Sequence, residues 1–398
     1  MITDKNILIL STQDWDALPT RKHHWANMFA KQGNRVLYVE QQMHLLGWIV
    51  DIRNQYKRLF QWLTGPRIVQ DNLWVFTLPI VLPFFQVFTK INALNNWILA
   101  PIIVWALRKI GFENIILWLY TPHAVGLIGR LDESFVVYEC VDDFTETRGL
   151  INSKTIRLLE SKQLNMVDQV IVTHPNLKLE KSEWCDSLAV IPNGADLSIF
   201  SVIPEDTITV SSEIVDLPRP IIGFHGWIQY WIDFELIKHA ARQHPEWTFV
   251  FVGPIEPLAR VDLVRNLDNV HFIGKRPYME IPHFVAGFDV CINPFKLDKL
   301  SDSVSPIKLY EYIASGKPIV SVDMPAAREF EQLVSLSRTP QEFVDAIADH
   351  LASKNQGDAF TEAEVEMRQK FLKEFSWDAR FNQVEDVICS NSAFSRHI

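Results

Sequence analysis

The chain has 398 residues, with 38 basic against 48 acidic, a formal net charge of −10. Apolar residues make up 48% and charged residues 22%, the balance of a folded globular chain long enough for two domains rather than of a disordered one. The acidic balance argues against a nucleic-acid binder that works by overall positive charge, and four scattered cysteines (Cys140, Cys185, Cys291, Cys389) argue against a disulfide scaffold or zinc site.

The opening MITDKNILILSTQDWD lacks the basic flank and small-residue cleavage site of a signal peptide, so the expected location is cytoplasmic. Short apolar runs then alternate with helical patterns, the mark of parallel sheets joined by crossover helices. In the first half the strand candidates are 6–11, 35–40, 115–120, 135–139, 169–173 and 188–191. One helix fits 22–32, stopped by Gly33, and another ends at Arg108-Lys109 before Gly111. Between Leu73 and Leu107 the chain is rich in Leu, Ile, Val, Phe and Trp, but Lys90, Asn92, Asn95 and Asn96 interrupt it. Its apolar runs fall short of the roughly 20 residues that cross a bilayer as helix. That stretch reads either as a buried helix or as a surface resting in the membrane interface, beside Lys57, Arg58, Arg67, Lys90, Arg108 and Lys109.

Residues 198–220 lose periodicity, carry Pro204, Pro218 and Pro220, and read as a domain linker. A second series of strands is expected at 221–224, 248–252, 270–273, 289–293 and 319–322, with helices at 233–243 and 306–314 among them. From Ala363 to about Ile388 the chain reads as helical. The expected fold class is α/β, with two Rossmann-like domains in tandem. Ligands of such sheets bind at the carboxyl ends of the strands.

Several motifs are absent: GxGxxG after the first strand, GxxxxGK[ST], GxSxG and HExxH. Asp14-Trp15-Asp16 has an acid-x-acid form but reads as a solvated loop, and no metal is expected. The informative segment is SPIKLYEYIASGKPIVS, Ser305–Ser321. Ser305 reads as an N-cap, Pro306 as the first helical residue, Ile307 as the second, and Gly316 as the stop. The helix would begin on the carboxyl side of strand 289–293, where free N–H groups attract phosphate. Lys308 in its first turn opposes the helix dipole unless an anion sits there, and Glu311 one turn deeper suits a ribose diol. A plain Lys–Glu surface pair is the alternative.

This segment resembles the nucleotide-sugar signature of GT-B glycosyltransferases of the family 4 type, and is most similar to the teichuronic-acid-biosynthesis-type branch. Pro192-Asn193-Gly194-Ala195-Asp196, Gly223-Phe224-His225-Gly226, Phe251-Val252-Gly253-Pro254, Asn269–Gly274 and Tyr138–Asp143 are similar to that family's other patterns, in the same order. The resemblance implies two domains facing across a cleft. Residues 1–200 would form the acceptor-side domain, 215–377 the nucleotide-sugar domain, and 378–398 a helix returning to the first. It implies that Glu311 binds the nucleotide ribose, with Gly226, Ser303, Ser305, Pro306 and Ile307 around the donor. Ser303 stands where the family has a glutamate, and a basic pair after the Gly226 turn is replaced by Trp227–Asp233. Lys308 and the helix N-terminus are left to meet the diphosphate.

In the first domain the resemblance assigns His123 to the donor sugar or acceptor, against a solvent-exposed helix-start histidine. Asp142 or Asp143 would orient an acceptor hydroxyl or cap a turn. Arg21, His23 and His24 would line the acceptor side or form a solvated helix face. The implied function is a retaining, metal-independent glycosyltransferase that moves a sugar from a UDP- or GDP-type donor to a glycan or lipid-linked acceptor in cell-surface polysaccharide synthesis. No cofactor beyond that donor and no nucleic acid are expected; the expected location is cytoplasmic, with the inner membrane surface as a partner if the acceptor is lipid-linked. A non-catalytic GT-B subunit and a nucleotide-sugar epimerase or hydrolase are the alternatives.

Overall fold

Two sheets organise the two series of apolar segments. The computed structural model describes residues 1–44, 52–147, 149–200, 209–355 and 362–394. The chain divides into two compact units, Met1–Pro192 with Phe381–Ile398, and Asn193–Arg380.

The first unit is built on an eight-stranded sheet. Its strands are β1 (Asn6–Leu10), β2 (Arg35–Val39), β4 (Arg67–Gln70), β5 (Leu73–Phe76), β7 (Ile115–Leu119), β8 (Glu133–Cys140), β9 (Gln169–Val172) and β10 (Leu188–Val190). Two short strands, β3 (Met43–His44) and β6 (Ile80–Val81), pair separately. The order is β10-β9-β8-β7-β1-β2-β5-β4, and only the edge strand β4 runs antiparallel. Among the described residues up to Pro192 the helices of this unit are α1 (Arg21–Lys31), α2 (Ile52–Thr64), α3 (Thr89–Lys109), α4 (Ser153–Leu164) and α5 (Pro175–Lys181). All five residues of β7 are buried, as a parallel strand covered on both faces requires. The β4–β5 hairpin is absent from the sequence-based expectations. Its outer strand alternates half-buried and exposed residues, and Asn72 turns the chain at φ 60°.

A buried carboxylate ties this sheet to its helices. Glu139, on β8, is fully buried and accepts from the indole N–H groups of Trp25 at 3.0 Å and Trp118 at 2.7 Å. Arg21 on α1 forms an ion pair with the same carboxylate and donates to the Pro192 carbonyl at 2.7 Å. From Phe381 the last helix, α13 (Trp377–Ser390, numbered after those of the second unit), packs on this unit through Phe29, 4.8 Å between ring centres. Glu385 accepts from the Ile2 amide at 2.5 Å and the Gln32 side chain at 3.0 Å.

Helix α3 is buried on one face, so the stretch around it is not simply an interior helix. Among the described residues no helix is long and apolar enough to cross a membrane. Its inward face is polar in the amino-terminal half, where Asn92, Asn95 and Asn96 are buried, and apolar beyond it, through Leu99, Ile103 and Leu107. Asn95 brackets Leu82, accepting from its N–H at 3.1 Å and donating to its carbonyl at 3.0 Å. Asn92 and Asn96 donate to the His123 carbonyl at 2.9 and 2.8 Å.

The second unit holds six parallel strands in the order β13-β12-β11-β14-β15-β16. They are β11 (Ile221–His225), β12 (Thr248–Val252), β13 (Val270–Gly274), β14 (Val290–Asn293), β15 (Ile319–Val322) and β16 (Ser335–Ser337). Around them lie α6 (Leu197–Phe200), α7 (Phe234–Gln243), α8 (Ile281–Gly287), α9 (Ile307–Ser315), α10 (Pro325–Arg328), α11 (Pro340–Asn355) and α12 (Glu362–Glu374). Of the expected linker, residues 201–208 lie outside the described residues. The rest is more structured than a linker, because Ile214 is fully buried in this unit's core and its amide bonds the Ser211 carbonyl.

Glu139→Ala is expected to destabilise the protein by about 3–5 kcal/mol, because it leaves the Arg21 charge buried without its partner. Urea unfolding followed by fluorescence measures the loss. A change below about 1 kcal/mol would show that the carboxylate contributes little beyond its own desolvation.

Candidate functional site

The carboxyl ends of β11 and β14 carry the best-formed constellation, on α9. Pro306, with φ −69° and ψ 116°, is the N-cap, and Ile307 is the first helical residue. The sequence expectation of a Ser305 cap with Pro306 inside the helix is therefore corrected by one residue. The extended ψ of Pro306 moves the helix start, and the Ser305 hydroxyl instead pairs with Tyr310 Oη at 2.9 Å. The Ser305 carbonyl accepts from the Asn193 side chain at 2.6 Å. Gly316 ends the helix in the left-handed region at φ 77°, as expected. The amides of Ile307 and Lys308 have no partner within the helix, as for any first turn.

Lys308 is half-buried and, among the described residues, forms no hydrogen bond or ion pair. Its ammonium lies 5.1 Å from the Phe224 ring centre and 4.7 Å from that of Phe295. Burial pulls its pKa down to about 8, with Glu311 opposing the shift. The turn beneath it is set by glycines. Gly226 sits at φ 122°, and a Cβ on Gly253 would meet the Gly226 carbonyl oxygen at 1.9 Å, so position 253 admits only glycine. The Gly226 amide donates to the Val252 carbonyl at 2.9 Å, so Gly226 supplies space beside Lys308 rather than a free donor.

Glu311 is not the surface partner of Lys308. It is buried, accepts from Tyr278 Oη at 2.7 Å, and has its other oxygen 3.3 Å from His225 Nε2. Burial raises its pKa to about 7; Tyr278 and Lys308 oppose this, while Asp196 adds to it. Burial likewise lowers His225 to about 3, the nearby Lys308 charge adding to the effect, so this imidazole is neutral. Ser303 is buried, and its amide donates to the Leu300 carbonyl at 3.3 Å. Sequence reasoning missed Tyr278 and His225 as partners of Glu311. His225 was visible inside the glycine turn, but nothing marked Tyr278. It also missed Lys296, whose ammonium bonds the Tyr230 carbonyl at 2.7 Å and so brings a cation to the turn that lacks the basic pair.

In the first unit, polar side chains gather at the carboxyl ends of β7 and β8. His123, on the short 3₁₀ helix Pro122–Leu127, is buried edge-on against Phe85 at 5.0 Å, which rules out the solvent-exposed alternative. Burial lowers its pKa to about 4, and its Nδ1 has no hydrogen-bond partner. The Tyr120 hydroxyl is also buried, and burial with the nearby Glu139 carboxylate holds it well above the usual tyrosine range. Lys22 lies 5.2 Å from the Tyr120 ring centre and is buried; that burial lowers its pKa to about 8 against the pull of Asp142 and Glu139. Asp142 is half-buried with a pKa raised to about 6, burial outweighing Lys22. Asp143 caps its turn, accepting from the Thr145 amide at 2.8 Å and hydroxyl at 2.7 Å.

Arg21 and His23 do not form the solvated face expected as an alternative. Arg21 is held by Glu139, and His23 is buried between the Thr20 amide at 3.2 Å and the Asp14 carbonyl at 3.2 Å. Lys22, between them, carried no sequence signal of its own. Asp14 pairs with Arg58 and Asp16 lies 3.6 Å from Lys57, so the acid-x-acid loop is engaged by cations. Among the described residues no group of three His, Cys, Asp or Glu is placed to hold a metal.

Known proteins place these features in context. Residues 219–353 match the family model described as Glycosyl transferases group 1. The chain is 26% identical over 289 residues to the putative teichuronic acid biosynthesis glycosyltransferase TuaH of Bacillus subtilis, covering 68% of this chain and 71% of that one. Among solved structures, a sucrose-phosphate synthase from Thermosynechococcus elongatus superposes with a TM-score of 0.68 at 16% identity, covering 96% of this chain and 98% of the other. Anabaena HepE, in complex with UDP and glucose, gives a TM-score of 0.66 at 15% identity, covering 96% and 99%. The chain thus has the GT-B fold of two α/β domains with parallel sheets, and its residues 219–353 form a glycosyl transferases group 1 domain.

Proposed function

We propose that the protein is a retaining glycosyltransferase that moves a sugar from a UDP- or GDP-type nucleotide sugar to a glycan or lipid-linked acceptor in cell-surface polysaccharide synthesis, working from the cytoplasmic side of the membrane. The observation that carries this reading is the pairing on α9 of an ammonium without an anionic partner, Lys308, with a buried carboxylate one turn on, Glu311. Diphosphate and ribose in a nucleotide are separated in the same sense.

Departure of the nucleoside diphosphate breaks the bond between the anomeric carbon and the β-phosphate oxygen, and negative charge grows on that phosphate. Lys308 and the amides that open α9 stabilise the charge without a metal ion. Glu311 is oriented by Tyr278 and keeps lone pairs for the ribose hydroxyls. In the first unit, Asp142 and the unpartnered Nδ1 of His123 are polar groups suited to an acceptor hydroxyl. With a pKa of about 6, Asp142 is ionised at neutral pH and can accept that hydrogen bond.

Serine at 303 and the missing basic pair favour a second reading, a non-catalytic GT-B subunit that binds a sugar nucleotide. Donor turnover separates the two. A panel of UDP- and GDP-sugars should show slow hydrolysis, with product NMR reporting the anomeric configuration. Nucleotide binding without turnover would favour the subunit.

Glu311→Ala is expected to weaken nucleotide binding by removing a charged acceptor, a loss of about 1.5–3 kcal/mol or ten- to a hundredfold in affinity. Lys308→Ala should lower kcat more than affinity, since leaving-group charge peaks in the transition state. Ser303→Ala should matter least. Calorimetric titration with UDP and GDP, together with turnover of the three variants, checks all of these.

The pKa values also set a pH profile. Affinity should rise as Glu311 ionises through about 7 and fall as Lys308 loses its proton above about 8. Glu311→Gln should abolish the acid limb and Lys308→Ala the alkaline one. In the free protein the sign for stability is the reverse at Glu311: its raised folded pKa stabilises below the unfolded value, and that stability is lost as pH rises through about 7. A flat profile from pH 6 to 9 in the unmodified protein would remove both residues from the nucleotide site.

A further inference from the structure

Helix α3 is apolar on its outward face as well as along the carboxyl half of its inward one, where Leu99, Ile103 and Leu107 join the core. Its asparagines face the interior, while Leu94, Trp97, Ile98, Pro101 and Trp105 form an exposed stripe along the whole helix, with Trp97 64% exposed. On α2, Tyr56, Phe60 and Leu63, spaced four and three apart, are also exposed, Phe60 at 69%. The two helices meet at their carboxyl ends, where Lys109 Nζ donates to the Thr64 carbonyl at 3.1 Å. An open groove of about 680 Å³ lies at that end of α3, with Pro101, Val104 and Trp105 on its apolar side and Arg108, Lys109 and Arg130 on its cationic side.

The charge of this region is opposite to that of the molecule. Residues 52–112 hold seven cations against a single acid, Asp71, in a chain of net charge −10; Lys57, Arg58 and Arg67 are met by Asp16, Asp14 and Glu40, which leaves Lys90, Arg108 and Lys109, with Arg130 beside them, as the exposed cations of this face. In a two-fold contact a second copy would bring the same cations against themselves, which like-charge repulsion disfavours. An exposed apolar stripe rimmed by cations matches a surface that is apolar beneath and anionic at its headgroups.

We propose that the α2–α3 face docks on an anionic phospholipid bilayer, and that the groove beside Trp105 takes one anionic lipid, its chain against Pro101, Val104 and Trp105 and its phosphate against Arg108 and Arg130. The proposal deepens the transferase reading by supplying a lipid surface for its acceptor, and it rests on that reading only for its purpose. The docking itself needs no transfer chemistry. The bilayer contact combines partial insertion of the tryptophans with attraction of the cations to phosphate, and salt weakens only the second.

The test is co-sedimentation of the full chain with vesicles of phosphatidylcholine alone and of phosphatidylcholine with phosphatidylglycerol. The protein should pellet with the anionic vesicles, and binding should fall as salt rises. The triple variant Lys90→Glu, Arg108→Glu, Arg130→Glu should weaken it about a hundredfold or more. Trp97→Ser with Ile98→Ser should weaken it at high salt as well as low. No binding to anionic vesicles, equal binding to both vesicle types, or binding untouched by both variants overturns the proposal. So does a concentration-dependent dimer that hides the face and excludes vesicles. Calorimetric UDP binding is read on the same proteins. Intact nucleotide binding with lost vesicle binding places the failure at this face, whereas vesicle binding without nucleotide binding or turnover overturns the transferase reading and leaves the docking surface standing.

Discussion

A parallel sheet buried on both faces has no room for chemistry along its strands. The strands of both main sheets, except the edge strand β4, run parallel, and their interiors are mostly apolar, with Glu139 a charged exception that Arg21 neutralises. Polar function is confined to the loops and helix starts at the carboxyl edge, and that confinement decides where a ligand can be met. Lys308, Glu311 and His225 lie at that edge in the second unit, and Lys22, His123 and Asp142 lie there in the first. Each is a charged or polar group drawn partly out of water, so each has a shifted pKa. Desolvation is the leading cause in all six.

Much of the fold was legible in the sequence because apolar runs of four to six residues between helical patterns have few other meanings. Strands 248–252 and 319–322 occur at the expected bounds, and others end a residue or so early or late, where terminal hydrogen bonds fray. The β4–β5 hairpin was illegible since Arg67 and Gln70 leave β4 no apolar run, and the apolar run of β5 merges with the long apolar stretch that begins at Leu73. The burial of Ile214 was hidden by the prolines around it, which signal a loop whether or not the loop packs.

The candidate site was legible in part. The helix opening at 306 and the pair Lys308 and Glu311 could be read from spacing alone, but their surroundings could not. Spacing puts the two side chains near one face, yet says nothing of Phe224, Phe295 or Tyr278, which arrive from distant strands and loops. Those neighbours turn an ordinary surface pair into a cation over aromatic rings and a carboxyl with a pKa near neutrality. The same limit applies to Arg21. Its neighbours His23 and His24 suggested an outer face, whereas its carboxylate partner Glu139 lies 118 residues further along the chain.

The asparagines of α3 join two parts of the first unit that differ in every other respect. Asn92 and Asn96 hold the His123 carbonyl from one side of a helix whose opposite side is tryptophan and leucine. The helix is therefore a rigid lever with a polar grip at one surface and an oily sole at the other. Any roll of α3 about its axis carries the His123 backbone with it, because two short hydrogen bonds leave little slack between them. Whatever the oily side rests on thereby bears on where the His123 backbone is held.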